Sequence, residues 1–122
     1  MISFSGKALF CDVDDTLIFW EEPRKDLLSN LAKDGKLVEI NGTMYEKNIK
    51  VIENLKRHFD RGHLVFVWSH GGGEWAKTAV EALGIGSFVT ATMPKPDWVI
   101  DDCEQVIGQA KLYLIINDSV NG

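Results

Sequence analysis

The sequence predicts one α/β domain over residues 1–122, with a parallel sheet of about five strands and helices on both faces. Three observations lead to this prediction. Short apolar runs alternate along the chain with segments of helical spacing. Several of these runs end abruptly in carboxylate or hydroxyl side chains. The length of 122 residues leaves room for one ordinary hydrophobic core.

The composition is that of a soluble globular protein, with 45% hydrophobic and 25% charged residues. The net charge of -5 disfavours a nucleic-acid-binding surface but leaves a small anionic substrate open. Cys11 and Cys103 are expected to pack as small apolar residues in a reducing compartment. The sequence shows no signal-peptide pattern and no apolar run near the roughly 20 residues of a membrane span. We therefore expect a cytoplasmic protein without membrane contact.

The first predicted strand covers residues 7–11, whose apolar run is typical of a strand buried on both faces. Residues 18–20 are apolar as well, and we expect them to form a wall beside the strand end. Pro23 suits the first position of a short helix that Gly35 ends. The apolar side of that helix comprises Leu27, Leu28, Leu31 and Ala32.

Residues 36–47 are predicted to form a β-hairpin. Asn41 and Gly42 both tolerate the positive φ of a type I′ turn, which makes this pair a strong hairpin signal. The register that follows has two cross-strand pairs, Val38 with Tyr45 and Ile40 with Thr43. Because the hairpin lies between the first strand and the next helix, residues 18–47 are a candidate flap over the end of that strand.

The remaining elements continue the alternation of strands and helices. Asn48 is predicted to cap an amphipathic helix that ends at Gly62, and Gly84 ends a second helix over residues 74–83. Further elements are strands at 64–68, 88–91, 98–100 and 112–116, a short helix at 103–110 and a polar tail. This order indicates a three-layer, Rossmann-like sheet. No helix follows the last strand, and a homo-oligomer contact is one way to cover that face.

Three predicted strands end in polar side chains, which a parallel sheet brings to the edge where such sheets bind ligands. The residues are Asp12, Asp14, Asp15, Thr16, Ser69, Asp101 and Asp102, with Lys95 held in extended chain between two prolines. Carboxylates without a histidine–cysteine cluster favour Mg²⁺. Ser69, Lys95 and the N–H groups of the following glycines suit phosphate oxygens. Asp15 is expected to be a solvated turn residue.

Residues near this edge add further candidates and one simpler interpretation. Thr16, His70 and Gly71 are candidates for substrate contact because they adjoin the acidic turn or Ser69. A carboxylate that faces a phosphoryl group across Mg²⁺ can act as a nucleophile and form an aspartyl-phosphate. The simpler interpretation is that Ser69 and Asp102 only cap the helices that follow them.

These residues resemble the haloacid dehalogenase-like phosphohydrolases. Residues 12–17, DVDDTL, match the family signature DxDx[T/V][L/V]. A serine that ends the second strand, a lysine and an acidic pair after an apolar strand follow in the order of that family, here Ser69, Lys95 and Asp101–Asp102. The resemblance covers nearly the whole chain. The small insert at 18–47 resembles that of members without a large cap, which often act on large substrates or are closed by a neighbouring subunit.

The resemblance implies a role for each residue. Asp12 would be the nucleophile, and Asp14 the general acid for the leaving group and then the base for water. Ser69 and Lys95 would hold the phosphoryl oxygens. Mg²⁺ would be held by Asp12, by the backbone carbonyl of Asp14 and by Asp101, with Asp102 in support. The implied activity is a Mg²⁺-dependent phosphatase.

Two other function classes stay open. A phosphoacceptor domain similar to response-regulator receivers has comparable length and residue types. The order disfavours it, since strand two ends in Ser69 and an acidic pair follows Lys95. A non-catalytic protein that binds phosphates or a partner is the other alternative, and the presence of both Asp12 and Asp14 speaks against it. The substrate is open among small metabolites, nucleotides and phosphorylated macromolecule ends.

Overall fold

The structure is a computed structural model that describes residues 6–102, 115–116 and 119–120. Its strands are β1 (Ala8–Asp12), β2 (Ile18–Phe19), β3 (Leu37–Ile40), β4 (Thr43–Lys47), β5 (Leu64–Ser69), β6 (Ala91–Pro94), β7 (Ile115–Ile116) and β8 (Ser119–Val120). Its helices are α1 (Leu28–Lys33), α2 (Ile49–Asp60) and α3 (Gly73–Leu83), with 3₁₀ turns at Lys25–Leu27 and Gly86–Phe88. None of these described helices is long and apolar enough to cross a bilayer.

A parallel sheet in the order β1-β5-β6 positions the candidate site. Along β1 the pairing runs from Ala8 opposite Leu64 to Asp12 opposite Trp68. At the far end of β5, Ser69 lies opposite Pro94. The prediction of a mixed α/β fold with the first two strands parallel is therefore confirmed. Because the strands share one direction, their carboxyl ends lie at one edge of the sheet.

Burial alternates along the sheet. Cys11, Val65 and Val67 are buried on one face, in one cluster with buried residues of α2 and α3 such as Leu55 and Ala79. The other face carries aromatic rings: Phe10 stacks on Phe66 at 4.9 Å and lies 4.6 Å from Trp68. Phe10 is 43% exposed. The prediction that both faces are covered is thus not confirmed for residues 6–102, although uniformly apolar strands suggested it.

The hairpin and the helix that follows it have the predicted form. Strands β3 and β4 pair in the predicted register, with Val38 opposite Tyr45 and Ile40 opposite Thr43. Asn41 and Gly42 have φ of 50° and 84°, as a type I′ turn requires. Strand β2 extends this sheet by pairing with β4. The Asn48 side chain accepts a hydrogen bond from the Val51 N–H at 3.4 Å and so caps α2.

Two predicted elements have different bounds in the structure. The strand expected at 88–91 is the β6 strand Ala91–Pro94, because Gly86–Phe88 forms a 3₁₀ turn. Hydrogen bonding of this segment to β5 begins only at Thr90, whose N–H donates to the Val65 carbonyl at 2.7 Å. The helix expected from Pro23 begins with a 3₁₀ turn at Lys25–Leu27, and none of the residues of α1 is buried.

Two predicted strands of the sheet are corrected. Residues 98–100 are not a strand, and Trp98 and Ile100 are 88% and 103% exposed. Of the strand predicted at 112–116, β7 pairs antiparallel with β8 rather than with the parallel sheet, and β8 replaces part of the predicted polar tail. The helix predicted at 103–110 and Cys103 lie outside the described residues. A five-strand sheet is therefore not confirmed.

Candidate functional site

The carboxyl edge of the parallel sheet brings together four of the residues that the sequence singled out. Asp12 ends β1, Ser69 ends β5, and Lys95 follows the last residue of β6. Asp14 lies in the turn directly after β1 and forms a bridge to Ile18. The edge therefore holds two carboxylates, a hydroxyl and an ammonium group.

Lys95 and Asp12 form an ion pair at this edge. The Lys95 Nζ lies 3.3 Å from Asp12 Oδ1, and the two side chains are 22% and 30% exposed. The Lys95 backbone N–H also donates to the Ser69 carbonyl at 3.0 Å, which ties the lysine to the end of β5. A pair of this exposure contributes little to stability. Its effect here is to offset the negative charge of Asp12 and to keep the Lys95 ammonium group beside that carboxylate.

Ser69 organises the turn between β5 and α3. It is fully buried, and its Oγ accepts a hydrogen bond from the Gly71 N–H at 2.9 Å. Its carbonyl accepts a second bond from the Gly72 N–H at 3.2 Å. Because the Oγ accepts the bond from the Gly71 N–H, the Ser69 O–H can still donate a hydrogen bond. The N-cap of α3 is Gly72, so Ser69 is not the helix cap that the simpler interpretation proposed.

Two positions of this turn require glycine for steric reasons. A Cβ on Gly71 would lie 3.0 Å from Trp75 Cδ1 and 3.3 Å from Ser69 Oγ. Gly72 has a φ of 107°, which L-residues with a side chain rarely adopt. In this turn the N–H groups of Gly71 and Gly72 bond to Ser69. The prediction that Gly71 contacts the substrate, like that for the exposed His70, stays a prediction.

Trp75 is a further residue of the site. Its indole Nε1 donates to Asp14 Oδ1 at 3.1 Å, across a separation of 61 residues. The indole N–H is a donor only, so it acts on Asp14 by fixing the position of one carboxylate oxygen. Position 75 lies on the apolar side of α3 by helical spacing, and no local signal in the sequence indicates this contact.

Hydrogen bonds to the Val13 carbonyl define the turn after β1, which carries Asp14 and Asp15. The Val13 carbonyl accepts from the N–H groups of Thr16, Leu17 and Ile18 at 3.2, 2.9 and 3.2 Å. Asp15 has a φ of 58°, and its Oδ1 accepts a hydrogen bond from the Trp20 N–H at 2.9 Å. Asp15 is thus an exposed turn residue, as predicted, with a structural hydrogen bond in addition. Thr16 lies half-buried within the turn, and its contact to substrate stays a prediction.

A recess of about 320 Å³ opens between this edge and the hairpin. We call it the aromatic recess because three of its lining residues are Trp20, Tyr45 and Trp75. Its other lining residues are Asp14, Ile40, Asn41, Thr43 and Gly71. The ring centroids of the three aromatic residues lie 5.9 to 6.4 Å apart. The hairpin turn, which belongs to the segment 18–47 predicted as a flap, therefore forms a wall beside Asp14.

The site offers oxygen ligands of the type that Mg²⁺ prefers, but fewer of them than a complete coordination shell needs. Asp12 and Asp14 offer the hard oxygen atoms that Mg²⁺ prefers, and this ion often takes one or two carboxylates with substrate and water oxygens. Asp101 and Asp102 are exposed and do not end a strand. Across residues 6–102, no three side chains of His, Cys, Asp or Glu are grouped to hold a metal ion.

Cys11 lies beside the site without being a reactive thiol. It is buried and free of any disulfide. Burial, with a smaller contribution from the charge of Asp12, raises the pKa of the Cys11 thiol to about 12. The thiol is therefore neutral near pH 7 and packs as a small apolar side chain, as predicted.

Comparison of the chain with models of protein families, with curated proteins and with solved structures found no match.

Proposed function

We propose that this protein is a phosphatase that hydrolyses phosphomonoesters through an aspartyl-phosphate on Asp12. The observation that carries the proposal is the ion pair of Asp12 and Lys95 at 3.3 Å, at the same edge as Asp14 and Ser69. A nucleophile, a second carboxylate and a cation for phosphoryl oxygens are the parts that such a reaction needs. The order of the sequence motifs supports the same assignment.

In the first half-reaction, an Asp12 carboxylate oxygen attacks phosphorus and the bond to the leaving-group oxygen breaks. Lys95 stabilises the charge on the phosphoryl oxygens. Asp14 donates a proton to the leaving oxygen, which departs as an alcohol. The hydrogen bond from Trp75 to Asp14 Oδ1 leaves the second carboxylate oxygen to carry this proton. The phosphoryl group is then bound covalently to Asp12.

In the second half-reaction, water attacks the phosphorus of the aspartyl-phosphate. The Asp14 carboxylate, left deprotonated by the first step, takes a proton from that water. The bond between phosphorus and the Asp12 oxygen breaks, which releases inorganic phosphate and restores the Asp12 carboxylate. Ser69, which has no exposed surface, acts in both steps by holding the turn that carries Gly71.

Mg²⁺ belongs to the proposal as the cofactor. Asp12 and the backbone carbonyl of Asp14 would hold it, with Asp101 as the further ligand and Asp102 as the support that the resemblance implies. When bound, it would neutralise negative charge on the phosphoryl oxygens. A larger three-layer, Rossmann-like sheet and a cytoplasmic location belong to the same proposal.

The test is hydrolysis of 4-nitrophenyl phosphate and of a panel of metabolite and oligonucleotide phosphates, with and without Mg²⁺. We expect Asp12→Asn to lower turnover by at least about 10³-fold, because the nucleophile is lost. Asp14→Asn should lower it by about 10²- to 10⁴-fold and let a phosphorylated protein accumulate. Mass spectrometry of the acid-quenched Asp14→Asn protein would locate the phosphoryl group on Asp12.

Asp15→Asn is the matched control, because Asp15 adjoins Asp14 and its carboxylate is occupied by the Trp20 N–H. Its turnover is expected to stay close to that of the wild type. Turnover by Asp12→Asn equal to that of the wild type would contradict the proposal. So would turnover that changes neither in Asp14→Asn nor on removal of Mg²⁺. A long-lived phosphorylated wild type without turnover would favour the phosphoacceptor alternative instead.

A further inference from the structure

The aromatic recess lies next to the residues proposed for phosphoryl transfer, and its aromatic rings have no assigned role in that reaction. Asp14 and Gly71 line its inner side, and the hairpin residues Asn41 and Thr43 line its outer side. A group that enters it is therefore positioned next to the carboxylate that would protonate a leaving oxygen. The recess is the place where the leaving group of a substrate would lie.

The walls of the recess favour a flat ring. Trp20 and Trp75 meet edge to face, with an interplanar angle of 82° and centroids 6.4 Å apart. Trp20 is 57% exposed, whereas Tyr45 is buried beneath it. A large aromatic side chain exposed at the mouth of a recess gives a ligand ring a surface to stack on, and stacking needs no particular hydrogen-bond pattern. A flexible polar chain would not use these surfaces.

The outer wall favours a ring that carries hydrogen-bonding atoms. The Asn41 side chain has both a donor and an acceptor, and Thr43 has a hydroxyl group. Both residues line the recess together with Trp20. A phenyl ring offers these groups no partner, whereas a nucleobase offers several. A volume of about 320 Å³ is at the small end of ligand sites, which suits one mononucleotide better than a polymer.

We propose that the aromatic recess binds the base of a nucleoside monophosphate, stacked on Trp20 and hydrogen-bonded at its edge by Asn41. This inference rests on the proposed function, since it places the phosphate of that nucleotide at Asp12 and Lys95. Asn41 then has two tasks, because its backbone also supplies a positive φ to the hairpin turn. The two tasks are separable, since glycine supports the turn equally well but has no amide.

The experiment is calorimetric titration of the wild type, without Mg²⁺, with adenosine 5′-monophosphate and with ribose 5-phosphate. The second compound keeps the phosphate and sugar but lacks the base. We expect the nucleotide to bind at least about 10-fold more tightly, because stacking of a base is worth about that factor or more. Trp20→Ala should remove most of this preference.

Two matched variants test the details of the assignment. Trp98→Ala removes a tryptophan that is 88% exposed and does not line the recess, so its preference should equal that of the wild type. Asn41→Gly should lower affinity for the nucleotide by about 2- to 10-fold, with little change for ribose 5-phosphate. Circular dichroism spectra would establish that each variant is folded.

Each outcome separates the two proposals. Equal affinity for the two ligands, or a preference that survives both Trp20→Ala and Asn41→Gly, overturns the recess assignment. Hydrolysis of both compounds with equal efficiency would leave the phosphatase standing and reject the recess. Selective binding of the nucleotide with no hydrolysis in Mg²⁺ would support the recess and contradict the proposed function.

Discussion

The two acidic pairs of this chain follow similar apolar runs but lie in different structures. Asp12 ends the strand β1 and Asp14 lies in the turn after it, next to the buried Cys11 and Val13. Asp101 and Asp102 follow residues 98–100, which are exposed and form no strand. The first pair meets Lys95 and Trp75 at the edge of the sheet. The second pair is exposed.

An apolar run therefore becomes a strand through its pairing partner and not through its composition alone. Strand β1 has a complete ladder on β5, from Ala8 opposite Leu64 to Asp12 opposite Trp68. On its other side β5 pairs with β6, and residues 98–100 pair with neither of the edge strands β1 and β6. Pro96, two residues before Trp98, has no N–H to donate to a ladder. The same local pattern therefore has two outcomes.

The largest expected difference between the two acidic pairs comes from removing the Lys95 ammonium group beside the first pair. We expect Lys95→Met to lower kcat/KM for a phosphomonoester by about 10²- to 10³-fold, because the phosphoryl oxygens lose a preorganised positive charge. Its unfolding free energy should change by about 1 kcal/mol or less, since the ion pair is partly exposed. Lys77→Met on the exposed side of α3 is the control. Similar activities in the two variants would place Lys95 outside the site.

A second test compares the two apolar runs directly, using one substitution at two positions. Val67 lies in β5 with no exposed surface, whereas Val99 is 53% exposed. Urea denaturation is expected to show a loss of about 1–3 kcal/mol for Val67→Ala, because two buried methyl groups leave a cavity. Val99→Ala should change stability by about 0.5 kcal/mol or less. Equal losses at both positions would show that residues 98–100 are packed in solution.

The smallest expected effect concerns the metal. If Asp101 is a Mg²⁺ ligand, as the resemblance implies, Asp101→Asn should raise the Mg²⁺ concentration for half-maximal activity by at least about 10-fold. Calorimetric titration with Mg²⁺ should show the same loss of affinity. Asp97→Asn, an exposed carboxylate four residues earlier, is the control. An unchanged Mg²⁺ requirement in Asp101→Asn would mean that the second acidic pair is a solvated surface.

Much of the candidate site was predictable because its residues stand at strand ends. The positions of Asp12, Ser69 and Lys95 at one edge follow from three apolar segments that run parallel. The hydrogen bond between Trp75 and Asp14 was not predictable, because helical spacing assigns Trp75 to the core and cannot name its partner. The aromatic recess was missed for the same reason, since its residues come from the turn after β1, the hairpin and α3.

Features that depend on near neighbours in the chain could be predicted from the residues alone. Asn41 and Gly42 specify the hairpin turn and its register, Asn48 caps α2, and Gly84 ends α3 in the left-handed conformation. The tertiary structure was needed to show which apolar runs became strands of the sheet and which aromatic rings line the recess with Asp14. The physical reason is that turns and caps are stabilised within a few residues. A ladder or a recess depends on partners that are distant in the chain, and no local pattern specifies them.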